Sequence, residues 1–146
     1  MQLFEFQAED VDKLRPRRSV LIANEMGTGK TFEAISLDRL HRIDSDWPEK
    51  KTLVIAPLTV LPSWEDHFHN IHPELKVVTV DPKNRKKSFE EFLESGDVYL
   101  AHWDALRLMP ELKEVFWLHI IADECKIVRL NRLEPSRLLK LATRLP

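Results

Sequence analysis

Five short apolar runs constrain this chain more than any other feature. Ser19–Asn24 (SVLIAN), Thr52–Ala56 (TLVIA), Lys76–Val80 (KVVTV), Asp97–Ala101 (DVYLA) and Leu118–Ala122 (LHIIA) are each of strand length. None alternates cleanly between polar and apolar residues. A strand with one wet face alternates; a strand covered on both faces of a parallel sheet does not. Helical patterns lie between the runs. Lys30–Ile43 carries Phe32, Ile35, Leu37 and Leu40, and Val60–Asn70 carries Leu61, Trp64 and Phe68. Ser88–Ser95 carries Phe89, Phe92 and Leu93, with Gly96 as a stop. Glu134–Leu145 opens with Pro135, as helices often do, and continues with Leu138, Leu139 and Leu141. Strand–helix alternation over 146 residues predicts one α/β domain, 1–146, with a mainly parallel sheet and helices on both faces.

Composition excludes several classes. A net charge of -2 leaves no global basic field for nucleic acid. The charge is uneven, however. Residues 1–124 hold 16 Lys+Arg against 23 Asp+Glu, whereas residues 125–146 hold 6 against 1. That basic end suits either a solvated face or a polyanion. A single cysteine excludes a disulfide framework. No apolar run approaches the ~20 residues of a membrane span, and MQLFEFQAED is not a signal peptide. A soluble intracellular domain is expected.

Three motifs carry chemistry. Asn24-Glu-Met-Gly-Thr-Gly-Lys-Thr31 follows a predicted strand and opens a predicted helix. In that context glycines let backbone N–H groups converge on phosphate, and the helix N-terminus adds positive potential. Lys30 would reach the β- and γ-phosphates, and the Thr31 hydroxyl would hold Mg²⁺. The strict pattern has glycine where Asn24 stands. The second motif is Asp123-Glu124, behind the last of the five runs. Alone it is an ordinary loop opening. In one sheet with a phosphate loop, it suggests Asp123 on magnesium and Glu124 as the group activating water. The third is Phe6-Gln7, whose amide both donates and accepts and so suits an adenine edge. His67, His69 and His72 lie close together, but no cysteine or second acidic cluster completes a zinc pattern. Cys125 reads as a packing residue.

In order and spacing these motifs resemble the first RecA-like lobe of superfamily-two helicases, specifically Swi/Snf-type double-stranded DNA translocases. Leu3, Phe6, Gln7 and Val11 match L-R-x-Y-Q-x-x-G-V, with departures at Phe4 and Asp10. Asn24–Thr31 is similar to D-E-M-G-L-G-K-T. Val54–Phe68 resembles V-A-P-x-S-V-L-x-N-W-x-x-E-F, and Val98–Arg107 resembles a strand and loop reading T-T-Y-E-x-L. Ile120–Arg137 resembles V-D-E-A-H-x-I-K-N and a following serine. The resemblance covers nearly the whole chain. It implies ATP and Mg²⁺ as cofactors, with Glu25, Met26, Gly27, Thr28, Gly29 and Phe32 joining Gln7, Lys30 and Thr31 around the nucleotide. It also implies duplex DNA held through its backbone. Pro57, Leu58, Thr59, Trp64, His102, Trp103, Arg129 and Arg132 are the candidate contacts.

Two departures bear on activity. DEAH reads Asp123-Glu-Cys-Lys126, placing a lysine where the family uses histidine to couple ATP state to the next motif. No L-T-G-T-P motif is evident after it, and the second lobe with its arginine finger is not in these residues. The expected function is therefore the ATP-binding lobe of a DNA translocase, hydrolysing ATP when paired with a second lobe in cis or trans. The alternative is a solitary lobe that binds nucleotide, DNA or protein without turnover. A small P-loop kinase fits the Trp64 and Asp123-Glu124 contexts poorly. The compact N-terminus suggests a bacterial or phage source and a cytoplasmic location, against a nuclear one in a eukaryote.

Overall fold

The structure, a computed structural model, describes residues 4–17, 19–22, 27–83, 88–123 and 138–141. Its elements run α1 (Glu5–Leu14), β1 (Ser19–Ile22), α2 (Lys30–Asp44), β2 (Thr52–Ile55), α3 (Leu61–Ile71) and β3 (Val77–Thr79). They continue with α4 (Phe89–Glu94), β4 (Val98–Ala101), α5 (Ala105–Leu108), a 3₁₀ turn at Pro110–Lys113, β5 (His119–Ala122) and β6 (Leu138–Leu141). The strands form one sheet in the order β1-β6-β5-β2-β4-β3, and every pairing is parallel. The five predicted strands are all present.

The unbroken apolar runs divide between two cores, as a doubly covered sheet requires. One face takes Val54, Val98, Leu100 and Ile121 and packs them on Val11, Ile35, Leu37, Trp64 and Phe68 of α1, α2 and α3. The other takes Leu53, Ile55, Tyr99, Ala101 and Ile120 and packs them on Leu106, Met109, Leu112 and Trp117. Adjacent residues of one strand therefore serve opposite cores, and no position is left for a polar stripe.

One expected element is of the wrong type. The helix predicted over 134–145 is, where described, the strand β6, paired with β1 on one side and β5 on the other. Leu138-Leu-Lys-Leu141 fits a helical period and a short apolar run equally well, and four residues cannot separate the two. Two open parallel edges, each offering a full ladder of hydrogen bonds, settle it as a strand. The helix α1 was not anticipated either; the segment was read for its glutamine alone.

The amino-terminal edge of the sheet is closed by a buried polar cluster. Asp38, on α2, accepts from Thr52 Oγ1 and His119 Nδ1, each at 2.6 Å. Arg42, one turn on, donates to Asp38 Oδ2 at 2.7 Å, to Thr52 Oγ1 at 2.7 Å and to the carbonyl of Lys50. His119 Nε2 lies 2.6 Å from His41 Nδ1, and His41 Nε2 lies 2.7 Å from the Arg15 carbonyl at the end of α1. Oxygen accepts at both ends of this chain, so each terminal nitrogen carries a proton.

Burial alone would push the Asp38 carboxyl up. The hydrogen bond and charge of His119, the charge of Arg42 and the Thr52 bond outweigh it and hold the carboxyl well below the usual carboxylate range. The unfolded chain therefore takes up this proton first as pH falls. The stabilisation is full above the ordinary carboxylate range and fades progressively from about pH 5 downward. Asp38→Ala leaves Arg42 buried without its carboxylate, and a loss of roughly 3–5 kcal/mol is expected in urea denaturation at neutral pH. Because the variant lacks the proton-linked contribution, its deficit against the wild type should shrink in acid; a deficit independent of pH would contradict this assignment.

Candidate nucleotide site

The carboxyl-terminal edge of the sheet carries several of the residues singled out from the sequence. Register fixes their relation. Ile22 pairs with Leu141, and Ala122 pairs with Lys140, so Asp123 comes level with Leu141 between the ends of β1 and β5. Two strand spacings, ~10 Å, separate β1 from β5. Asp123 is buried, and its N–H donates to the carbonyl of Ile55 at 2.8 Å, pinning it to the end of β2. Lys30 is also buried and begins α2, which leaves the same edge through the glycine loop after β1.

Two glycines shape that loop. Gly27 has φ +81° and Gly29 has φ +78°, both in the left-handed region that other residues enter at a cost. Gly29 caps α2 without a side chain, so the first N–H groups and the positive end of the helix open toward the loop. Thr31 and Phe32 follow in the first turn, and the Phe32 ring meets His67 of α3 edge-on at 4.8 Å. Glu33 in the same turn is fully buried, a feature the sequence did not disclose.

Gln7 takes a more definite part than its sequence context suggested. It is buried on α1. Its amide nitrogen donates to the Thr28 carbonyl at 2.9 Å, and its amide oxygen accepts from the Phe4 N–H at 3.0 Å. A β-carbon on Gly29 would collide with that amide nitrogen. The glutamine thus braces the glycine loop, and position 29 calls for glycine by its backbone angle, while a β-carbon there would also displace the Gln7 amide.

The remaining candidates divide clearly. Pro57, Leu58 and Thr59 lie in the turn after β2, with Leu58 and Thr59 exposed. His102 and Trp103 follow β4 on the same edge, partly exposed, and Trp103 leans on the second core. Trp64 does not join them. It is buried in the first core, and its indole N–H donates to Asp123 Oδ2 at 3.0 Å. Expected as a DNA contact, Trp64 is turned inward by the apolar stripe it shares with Leu61 and Phe68. Glu25, Met26, Glu124, Arg129 and Arg132 lie outside the described residues.

Thr31 and Asp123 offer oxygen donors of the kind Mg²⁺ prefers, and no sulfur or imidazole competes in that pair. A buried carboxylate oriented by a neighbouring N–H suits such an ion.

Comparison with known proteins bears on the family and the fold. The family described as SNF2-related domain matches residues 11–144. The chain is 31% identical over 108 residues to a protein of Arabidopsis thaliana named probable ATP-dependent DNA helicase CHR23, covering 71% of the chain and 10% of the relative. It is 30% identical over 122 residues to the putative ATP-dependent helicase/translocase YwqA of Bacillus subtilis, covering 82% of the chain and 13% of the relative. In fold it is similar to the SWI2/SNF2 ATPase core of Sulfolobus solfataricus solved with double-stranded DNA. That likeness has a TM-score of 0.85 at 23% identity, over 99% of this chain and 32% of the other. The chain thus spans about a tenth of the length of these curated relatives. Among the described residues no helix is long and apolar enough to cross a membrane.

The loop geometry is open to a direct test. Gly27→Ala meets no neighbour and should cost only its backbone strain, ~1 kcal/mol. Gly29→Ala adds a collision to the same strain and should cost roughly 1–3 kcal/mol. Removing the obstacle with Gln7→Ala should recover part of that loss, giving a non-additive double-mutant cycle in thermal or urea unfolding. Additive losses would show that Gln7 does not press on the loop.

Proposed function

Because the chain belongs to the SNF2-related domain family, we propose that it is the ATP-binding lobe of a DNA-dependent ATPase motor, working with a second RecA-like lobe on duplex DNA. The observation that carries this reading is the meeting of the glycine loop, Lys30 and Asp123 on the carboxyl edge of a parallel sheet. That is where open α/β sheets take ligands. Here the peptide N–H groups of the loop and the start of α2 would receive phosphate, and Lys30 would neutralise the terminal phosphates. Thr31 and Asp123 would hold the magnesium, which when bound screens phosphate charge. Glu124 would orient the attacking water. Gln7 would meet adenine with the capacity its amide retains beyond Phe4 and Thr28.

The duplex would lie across the exposed turns behind β2 and β4, at Pro57–Thr59 and His102–Trp103, with Arg129 and Arg132 adding charge. Phosphate contact of this kind carries no sequence preference and weakens with salt. The names of similar proteins support the reading: they describe helicases, a translocase and an ATPase core on double-stranded DNA.

A second reading, binding without turnover, is favoured by one observation: Lys126 stands where the resemblance calls for histidine. A charged lysine accepts no hydrogen bond, so the coupling that histidine provides is missing.

Calorimetry with Mg·ATP separates these readings from failure of both. Lys30→Ala should weaken binding at least tenfold, through loss of the phosphate-reaching cation. The 146-residue chain alone should turn over slowly, because no second lobe closes on the γ-phosphate or supplies an arginine worth ~10³–10⁵ in rate. A second-lobe polypeptide added in trans should raise turnover, and Glu124→Gln should abolish the gain. Turnover that stays flat favours the binding module. Equal ATP affinity in wild type and Lys30→Ala contradicts both.

A further inference from the structure

We infer that Trp64 is a positioning residue for Asp123, fixing the carboxylate that would hold magnesium to the helix that follows the DNA-facing turn. The inference rests on the nucleotide reading above and goes beyond it, since neither the phosphate loop nor the acidic pair calls for a tryptophan.

A carboxylate that holds a metal in one place needs its oxygens aimed as well as its backbone fixed. The terminal torsion of aspartate is a broad two-fold rotor, so a pinned backbone does not aim the oxygens. The backbone of Asp123 is pinned by its N–H on the Ile55 carbonyl at 2.8 Å. Trp64 contributes that aim, its Nε1–H reaching Oδ2 at 3.0 Å. An indole has one donor and no acceptor, so this bond has a single sense: tryptophan donates and aspartate accepts. The donor cannot swing away. Trp64 is 1% exposed and packs on Phe68 at 6.2 Å, inside the core beneath β2 and β5.

The same ring ties the carboxylate to a second place. Trp64 sits in the first turn of α3, which opens immediately behind Pro57–Thr59. That turn is closed by the Val60 N–H on the Pro57 carbonyl at 2.9 Å, and Trp64 N–H returns to the Val60 carbonyl at 3.2 Å. A shift of the turn under a bound duplex would therefore move the indole donor and re-aim Asp123. Partners that orient metal ligands are typically worth 10–100-fold in metal affinity or activity.

Trp64→Phe keeps an aromatic ring in the core and removes the donor. ATP binding is compared by calorimetry with Mg²⁺ and with excess chelator. In the variant the gain from Mg²⁺ should fall about tenfold, with metal-free binding unchanged. Asp123→Asn should lose that gain, and adding Trp64→Phe to it should take nothing further. An indole merely filling the core would alter both binding modes alike. A second measurement does not depend on the Phe variant folding. Nitrogen NMR of the wild type shows the four indole N–H signals, those of Trp47, Trp103 and Trp117 being assigned by Phe substitution and that of Trp64 by elimination. The Trp64 signal should move with Mg·ADP and again in Asp123→Asn, while that of Trp117, bonded to the Leu112 carbonyl, should stay.

A full Mg²⁺ gain in Trp64→Phe alongside its loss in Asp123→Asn would overturn this inference and leave the nucleotide site standing. No ATP binding by the wild type would overturn both. A Trp64 signal indifferent to Asp123→Asn would also overturn it.

Discussion

Parallel pairing of all six strands among the described residues is the constraint on which the rest of this structure depends. It sends every strand the same way, so the segments leaving β1, β2, β4 and β5 emerge on one edge. The glycine loop, the Pro57–Thr59 turn, His102–Trp103 and Asp123 are those segments. No long-range attraction has to bring them together; sheet register does it, and apolar burial on both faces holds the register. The opposite edge carries the complementary device. There Asp38, Arg42, Thr52, His119 and His41 satisfy one another out of water and tie α2 to β2, β5 and the end of α1.

The helix α1 is consequently held at both ends by different chemistry. Its first turn reaches the glycine loop through Gln7 and Thr28. Its last turn meets His41 through the Arg15 carbonyl, beside an Arg15–Asp44 ion pair at 2.6 Å. The exposed ion pair contributes little by itself. The buried bonds fix where the glutamine stands, and so the shape of the loop above it. A residue read from the sequence for its hydrogen-bonding versatility acts in the structure as a brace.

Much of this was legible in the sequence, and what was not has definable causes. Strands surfaced because a doubly buried run is unbroken. The loop and Asp123 surfaced because their chemistry requires particular residues behind particular strands. Leu138–Leu141 was misread because four residues carry no period. The helical stripe of Leu61, Trp64 and Phe68 marks Trp64 for the core, and the resemblance alone put it on DNA, because a motif shows that a tryptophan is required and not which way it faces. The Asp38 cluster was invisible, since Asp38 and His119 are 81 positions apart and an Asp-Arg pair one turn apart reads as a wet helix face.

The central claim, a nucleotide site on the carboxyl edge and none on the amino edge, is tested most directly by mapping Mg·ADP onto the backbone amides by NMR. The account predicts saturable shifts at Gln7, at Gly27–Phe32 and at Asp123, with Thr52, Arg42 and His119 unmoved. Saturable shifts centred on Thr52, Arg42 and His119, or no saturation at Gly27–Phe32, would contradict it.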